Sequence, residues 1–319
     1  MKRRNFIFLP LVAVLASCKP AVDPETKADA GKLRILATFL PVHAHAAAIA
    51  GDRAIVESLI SGDTGAHDFS PRPADMQRIA EADVLVFNGA GMEPWLDDLI
   101  QQAARKDLRK VDLSTGIDLL ENTDALDEEH DHDHDDHDDH DHDHDHDHGE
   151  HNPHLWLDPV LAIQQAETLR DALIAADPEG AATYQENAAN YIATLRELDT
   201  AFQEILGPLP DKKLVTFHDA FPYLAKRYGL ENIGYISRFP ERDPAPAELA
   251  ALIDRIRAAD VKILFAESGY EPALLQRVAT ETGTKVSTLD TLEVGEPGSD
   301  AYLDGMRRNL ETLRAAFAR

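Results

Sequence analysis

Cysteine is almost absent from this chain of 319 residues, since Cys18 is the single one. A lone cysteine excludes an intramolecular disulfide framework and a cysteine-rich zinc site. Basic residues are also scarce: 31 lysines and arginines stand against 58 aspartates and glutamates, so the formal net charge is −27. This deficit argues against nucleic-acid binding, because phosphate backbones recruit Lys and Arg. With 44% hydrophobic residues the chain can still bury a core, which excludes wholesale disorder.

The acidic excess comes mostly from one stretch. Between Lys110 and Arg170 there is no basic residue but there are 20 acidic ones, and Asp-His alternation fills the centre of the stretch. Such alternation has neither an apolar helix face nor a β pattern, so residues 121–151 are predicted to be a disordered loop. Imidazole and carboxylate groups together favour zinc, copper or nickel, although a repeat expansion without a role explains the pattern too. The candidate accessory ligands are His130, His132, His134, His137, His140, His142, His144, His146 and His148.

The N-terminal residues predict export. Three basic residues at positions 2–4 precede an apolar run from Phe6 to Ala16, which is too short to span a membrane. The run ends in Leu-Ala-Ser-Cys, which resembles a bacterial lipobox, so residues 1–18 are interpreted as a lipoprotein signal peptide and Cys18 as the lipidation site. A secreted protein with an incidental cysteine is the alternative. Residues 19–31 are rich in Pro, Ala and charges and predict a tether, so the protein is expected to be periplasmic or otherwise extracytoplasmic and membrane-anchored.

Short apolar runs alternate with amphipathic segments in both halves of the remaining chain, which indicates an α/β fold with two lobes of mainly parallel sheet and flanking helices. Strands are predicted at 33–39, 54–60, 84–88, 214–217, 232–236, 263–266 and 285–289. Residues 181–206 contain no Gly or Pro and carry a continuous apolar stripe, which favours one rigid helix of about 39 Å over two shorter ones. We therefore expect lobes at 32–180 and 208–319, a linking helix at 181–207, and a ligand in the crevice between the lobes.

Four potential metal ligands follow predicted strands or lie in the loops beyond them, where α/β proteins place their ligands. His67 comes after the second strand and His154 after the acidic loop, while His218 and Asp290 end strands of the second lobe. Each alone is explained as well by an ordinary hydrogen-bonded histidine or a turn-capping aspartate. Together they supply two ligands from each lobe, and three imidazoles with one carboxylate suit tetrahedral zinc.

Two segments carry a specific resemblance. Pro-His-Leu-Trp-Leu-Asp-Pro at 153–159, and the segment from His218 that ends in Lys-Arg-Tyr-Gly at 226–229, resemble the zinc/manganese ABC-transporter solute-binding lipoproteins; Leu-Asp-Thr-Leu at 289–292 is a weaker match. The resemblance runs from Leu33 to the C-terminus, excepting the acidic loop. It implies two α/β lobes bridged by one long helix, and metal ligands at His67, His154, His218 and Asp290. Manganese-type members tend to carry a carboxylate where His218 stands, so the resemblance favours a zinc-type member with a His-rich loop.

The function expected from these features is capture of Zn²⁺ and its delivery to an ABC permease and ATPase by a monomeric protein that binds no nucleic acid. The alternatives are a zinc reservoir or surface adhesin of the same family, or a component of a manganese importer. An enzyme is not expected, because no hydrolase motif is present and four protein ligands would close the zinc site to water. Near the crevice, Glu267 could orient a histidine or cap a helix, and Trp156 could exclude water or pack in the core.

Overall fold

Two four-stranded parallel sheets organise the computed structural model, which describes residues 31–122, 150–237, 244–269 and 273–318. The first sheet contains β1 (Leu33–Ala37), β2 (Ala54–Ser58), β3 (Val84–Phe87) and β4 (Arg109–Asp112), and the second contains β5 (Lys213–Thr216), β6 (Glu231–Tyr235), β7 (Ile263–Ala266) and β8 (Lys285–Thr288). The helices are α1 (Leu40–Ala50), α2 (Pro73–Glu81), α3 (Leu96–Ala103), α4 (Pro159–Ala176), α5 (Ala181–Leu206), α6 (Pro222–Tyr228), α7 (Pro246–Ala258), α8 (Ala273–Thr282) and α9 (Ala301–Phe317). The predicted two-lobed α/β fold is confirmed.

The two sheets share one topology. Their strand orders are β2-β1-β3-β4 and β6-β5-β7-β8, and every pairing between neighbouring strands is parallel. In each sheet the strand order reverses between the two central strands, β1 and β3 or β5 and β7. The carboxyl ends of such strands flank the crevice in which open α/β sheets bind ligands.

The central strands of the first sheet are apolar along their length because helices cover both faces. Ile35, Leu36 and Ala37 of β1 are at most 2% exposed. The edge strand β4, with the sequence Arg-Lys-Val-Asp, has a single buried apolar residue, Val111. The sequence pattern does not predict this strand, because an edge strand this short shows neither an apolar run nor a clear alternation.

The predicted linking helix is one continuous α-helix, α5, of 26 residues. Its buried stripe runs along the whole length from Tyr184 to Leu206 and joins the main hydrophobic core, which contains residues from both sheets. Asp177, four residues before this helix begins, forms a two-pronged ion pair with Arg53. The Asp177 carboxylate also accepts a hydrogen bond from the Tyr184 hydroxyl at 2.9 Å. The helix is therefore attached to the first lobe at its start and packed on both lobes beyond it.

Some sequence predictions fall outside the described residues. They are the signal peptide with Cys18, the tether up to residue 30, and all nine histidines from His130 to His148. The ends of the predicted disordered loop are ordered, however, since Glu121 and His151 form an antiparallel bridge and the Asn152 N–H donates to the Leu120 carbonyl at 2.8 Å. Within the described residues no helix is both long enough and apolar enough to span a membrane.

Candidate metal centre

Three imidazoles and one carboxylate converge between the two sheets. One ligand atom from each of His67, His154, His218 and Glu293 lies within 4.8 Å of the others. His67 and His154 come from the first half of the chain, and His218 and Glu293 from the second. Three of the four residues are buried, and His67 is partly exposed.

The spacing of the nitrogen atoms matches a tetrahedral ion. The Nε2 atom of His154 lies 3.2 Å from Nε2 of His67 and 3.1 Å from Nε2 of His218. Two nitrogens bound to one tetrahedral Zn²⁺ at about 2.0–2.1 Å each would be separated by about 3.3 Å. Oε1 of Glu293 lies 3.8 Å from Nε2 of both His154 and His218.

His154 is held so that Nε2 faces this space. Its backbone N–H and its ring Nδ1–H both donate to Oδ1 of Asn152, at 3.1 and 3.0 Å, so the proton is placed on Nδ1 and the lone pair on Nε2. Asn152 in turn donates to the Asp219 carbonyl at 2.7 Å, next to His218. Burial, followed by the neighbouring imidazoles of His218 and His67, lowers the pKa of His154 well below its usual value, so this ring is neutral and ready to bind a metal.

His218 has a carboxylate behind it. It lies two residues beyond the end of β5, and Glu267 directly follows β7, so the two residues stand at the carboxyl ends of adjacent central strands. Glu267 accepts hydrogen bonds from the His218 backbone N–H at 2.8 Å and from its ring Nδ1–H. Burial opposes the charged ring, but the Glu267 carboxylate outweighs it and raises the pKa of His218 to about 9. Of the two roles considered for Glu267, orienting a histidine is the one observed.

His67 is carried by the loop between β2 and α2. This loop touches the segment that carries Glu293, because the Gly295 N–H donates to the Gly62 carbonyl at 2.8 Å. A side chain at residue 62 would have its Cβ 2.3 Å from the Gly295 oxygen, so glycine permits this close approach. The loop that carries His67 and the segment that carries Glu293 are therefore in direct backbone contact.

The carboxylate of the group is buried and unsatisfied. Glu293 is 1% exposed, and neither of its oxygens has a hydrogen-bond partner among the described residues. Burial raises the pKa of Glu293 to about 7, and the His218 ring opposes that rise. A buried carboxylate without a hydrogen bond is costly, so its presence indicates a cationic ligand that completes its interactions.

Asp290, the carboxylate expected from the sequence, does not join the group. Its Oδ1 accepts the Leu292 backbone N–H at 3.0 Å, and its Oδ2 lies 3.8 Å from the Arg308 guanidinium. The structure thus brings His67, His154 and His218 together as expected but replaces Asp290 by Glu293, three residues further on. Two carboxylates follow β8 closely in the sequence, and the chain direction after that strand decides which one faces the imidazoles.

Trp156 connects the His154 segment with the Glu293 segment. Its Nε1–H donates to the Thr291 carbonyl at 2.7 Å, and its own carbonyl accepts from the Tyr302 hydroxyl at 2.6 Å. The ring is 1% exposed and packs edge-on against Phe39, with centroids 5.0 Å apart. It therefore packs in the core and ties together two ligand-bearing segments of the centre.

A ligand set of three nitrogens and one oxygen, buried between two parallel-sheet lobes, defines a metal-binding protein of the two-lobed solute-binding class. Residues 35–316 match the family described as "ZnuA: Zinc-uptake complex component A periplasmic". The chain belongs to this family.

Two relatives illustrate the match. The chain is 35% identical over 312 residues to the zinc-binding lipoprotein AdcA of Streptococcus pneumoniae, covering 97% of this chain and 60% of that protein. It is 33% identical over 308 residues to the high-affinity zinc uptake system protein ZnuA of Bacillus subtilis, covering 95% of this chain and 93% of that protein. The chain therefore spans 93% of the length of the Bacillus relative but only 60% of the length of AdcA.

Solved structures resemble the fold closely. The Zn(II)-bound ZnuA-like domain of S. pneumoniae AdcA superposes with a TM-score of 0.72 and 31% identity, covering 91% of this chain and 100% of that domain. The solute-binding protein FpvC of Pseudomonas aeruginosa in complex with Mn²⁺ gives a TM-score of 0.77 and 28% identity, covering 90% and 98%. The same architecture therefore occurs with different metal ions.

Proposed function

We propose that this protein is an extracytoplasmic solute-binding protein that captures one Zn²⁺ and delivers it to an ABC permease and ATPase. The observation that carries the proposal is that Nε2 of His154 lies 3.1–3.2 Å from Nε2 of both His67 and His218, beside a buried carboxylate that has no hydrogen bond among the described residues. The proposed ligands are His67, His154, His218 and Glu293. Family membership and the names of the relatives support the same function.

The composition of the site favours zinc over manganese. Imidazole nitrogen suits Zn²⁺, whereas Mn²⁺ prefers oxygen ligands and six-fold coordination. Three of the four proposed ligands are nitrogens. Two carboxylates, Glu293 in the site and Glu267 behind His218, balance the charge of a dication. We expect zinc to be preferred over manganese for these reasons, and copper and nickel to compete more strongly than manganese does.

A lipid-anchored protein outside the cytoplasm is the proposed setting. The lipobox-like run ending at Cys18 supports it, as does the description of AdcA as a lipoprotein. The Asp-His segment around residues 130–148 would raise the local zinc concentration near the crevice, because Glu121 and His151, on either side of that segment, pair shortly before His154. We propose a carrier, with no catalytic activity, that acts as a monomer.

Zinc titration calorimetry tests the proposal. The protein beginning at Lys19 keeps the compact unit Leu33–Arg319 whole. It is compared with a form lacking residues 128–150, and with that form carrying His218→Ala. One tight site is expected to survive the deletion and to be lost in the His218 variant.

His151→Ala in the shortened form is the matched control, because His151 is a half-buried histidine of the same region outside the proposed ligand set. It should leave the tight site intact. If deletion abolished tight binding and His218→Ala changed nothing, the protein would be a loop-based zinc reservoir. Zinc-dependent growth of cells with and without the gene separates a carrier from a reservoir or adhesin, since only loss of the carrier creates a zinc requirement.

A further inference from the structure

The segment that presents Glu293 contains a strained residue. Leu292, directly before Glu293, has a φ of +63° and lies in the left-handed region that leucine rarely adopts. Its side chain is 2% exposed, so the unusual conformation belongs to a fully packed residue. Conformations of this kind persist only where the surroundings enforce them, and they cluster at ligand-binding sites.

Asp290 stabilises that turn. Its Oδ1 accepts the backbone N–H of Leu292 at 3.0 Å, and its own backbone is held by Asn309 of α9. The Asn309 side chain accepts the Asp290 N–H at 2.8 Å and donates to the Asp290 carbonyl at 2.7 Å, and it is 1% exposed. The start of the turn is therefore fixed on α9 by a pair of buried hydrogen bonds.

The absence of a side chain at Gly305 leaves space for the Leu292 side chain. A Cβ atom on Gly305 would lie 2.2 Å from Cδ2 of Leu292 and 3.3 Å from both its Cγ and its Cδ1. Gly305 lies in the second turn of α9, where alanine would be a better helix former. The reason for glycine at this position is thus the space that Leu292 occupies.

We propose that Asp290 and Gly305 are positioning residues for the metal centre: together they hold Leu292 in a conformation that directs Glu293 toward the three imidazoles. The inference rests on the proposed function, because it concerns how the fourth zinc ligand is placed. It assigns a different role to Asp290, which supports the ligand segment through its hydrogen bond to Leu292 and does not bind the ion. It also makes a helix residue outside the ligand group a determinant of zinc affinity.

The test measures zinc affinity and the absorption spectrum of the Co²⁺-loaded protein, since cobalt bands report the ligand set and its geometry. Gly305→Ala and Asp290→Ala are each expected to weaken zinc binding by about 10–100-fold, the loss typical of removing a group that orients a ligand. Both should shift the cobalt spectrum toward that of Glu293→Ala. Asp290→Asn should bind zinc nearly as the parent does, because its side-chain oxygen still accepts the Leu292 N–H.

A double-variant comparison isolates the positioning effect. When Glu293 is already replaced by alanine, adding Gly305→Ala should change zinc affinity no further, since no fourth ligand is left to misplace. Asp304→Ala is the matched control, an exposed neighbour on α9 whose side chain contacts Arg307. It should behave as the parent in both measurements.

Three results would overturn the inference: parent-like zinc affinity in Gly305→Ala, an equal loss from Gly305→Ala with and without Glu293, or Asp290→Asn as weak as Asp290→Ala. If Gly305→Ala failed to fold, as judged by circular dichroism, the Asp290 pair would decide. Failure of the proposed function has a separate signature, since the parent would then show no tight site or would bind zinc independently of His218.

Discussion

Replacing Glu293 by leucine should change the metal-free and zinc-bound proteins in opposite directions. In the metal-free protein both carboxylate oxygens are buried without a hydrogen bond among the described residues, and burial raises the pKa of Glu293 to about 7. The native state therefore binds this proton more tightly than the unfolded chain does. Stability contributed by the neutral acid is full below the ordinary pKa of 4.5 and falls as the pH rises toward about 7.

The magnitude follows from the same burial. Removing an unsatisfied buried polar or charged group recovers about 1–3 kcal/mol. For a chain of this size, that corresponds to a rise of about 2–4 °C in the melting temperature for each kcal/mol. We expect metal-free Glu293→Leu to melt above the parent at pH 8, and the difference to shrink at pH 5.

With zinc bound, we expect the parent to melt above Glu293→Leu. Loss of one of four ligands is expected to weaken affinity by about 100-fold or more, because even groups that only orient ligands are worth 10–100-fold. At saturating zinc, a 100-fold weaker affinity removes about 2.7 kcal/mol of ligand-induced stabilisation. Thermal melts with chelator and with excess zinc, at both pH values, measure the two effects.

Glu296→Leu is the control, because Glu296 is an exposed acid of the same segment, and it should alter neither melt. A metal-free Glu293→Leu protein less stable than the parent at pH 8 would refute the claim that the carboxylate is buried at a cost. Unchanged zinc affinity would refute its role as a ligand.

Three further outcomes are expected. Glu267→Gln should weaken zinc binding by about 10–100-fold in competition titrations, because the His218 ring loses its carboxylate partner, and an unchanged affinity would contradict that role. Zinc affinity should rise about tenfold per pH unit from pH 7 to 9 and flatten above, since zinc must displace the proton of His218, whose pKa lies near 9; a flat profile would be inconsistent with that pKa. Asn88→Ala should lower the free energy of unfolding in urea by about 1–3 kcal/mol, because the Pro153 carbonyl loses its 2.8 Å hydrogen bond, and parent-like unfolding would exclude a structural role for that bond.

Most of the fold was predictable from local pattern. Seven of the eight strands were expected within a residue or two of their observed bounds, because buried parallel strands are continuous apolar runs between turn residues. The unbroken helix α5 follows from a long apolar stripe without Gly or Pro. The edge strand β4 was not predictable from local pattern, because its residues show no strand periodicity. It is a strand because it pairs with β3, a tertiary contact that its own sequence does not indicate.

His43 and His45 show the limit of local pattern in the core. Both residues lie in α1 and are buried, and the ring of His45 forms a 2.8 Å hydrogen bond with the Tyr191 hydroxyl of α5. Burial lowers the pKa of His45 to about 4, so it is a neutral packing residue between the first lobe and the long helix. Only the packing of α1 on α5 shows this.

What the sequence determined by itself is the chemistry and the scaffold: three histidines beyond strand ends, an apolar pattern for two parallel sheets, and one long helix between them. What the tertiary structure decided is which carboxylate accompanies the histidines. Asp290 and Glu293 lie in the same short segment after β8, and their spacing alone does not separate them. The choice follows from the left-handed turn at Leu292 and the space at Gly305, which turn Asp290 toward its own backbone and Glu293 toward the imidazoles. The contacts with Gly305 and Asn309 arise only when α9, which begins at Ala301, packs against the segment.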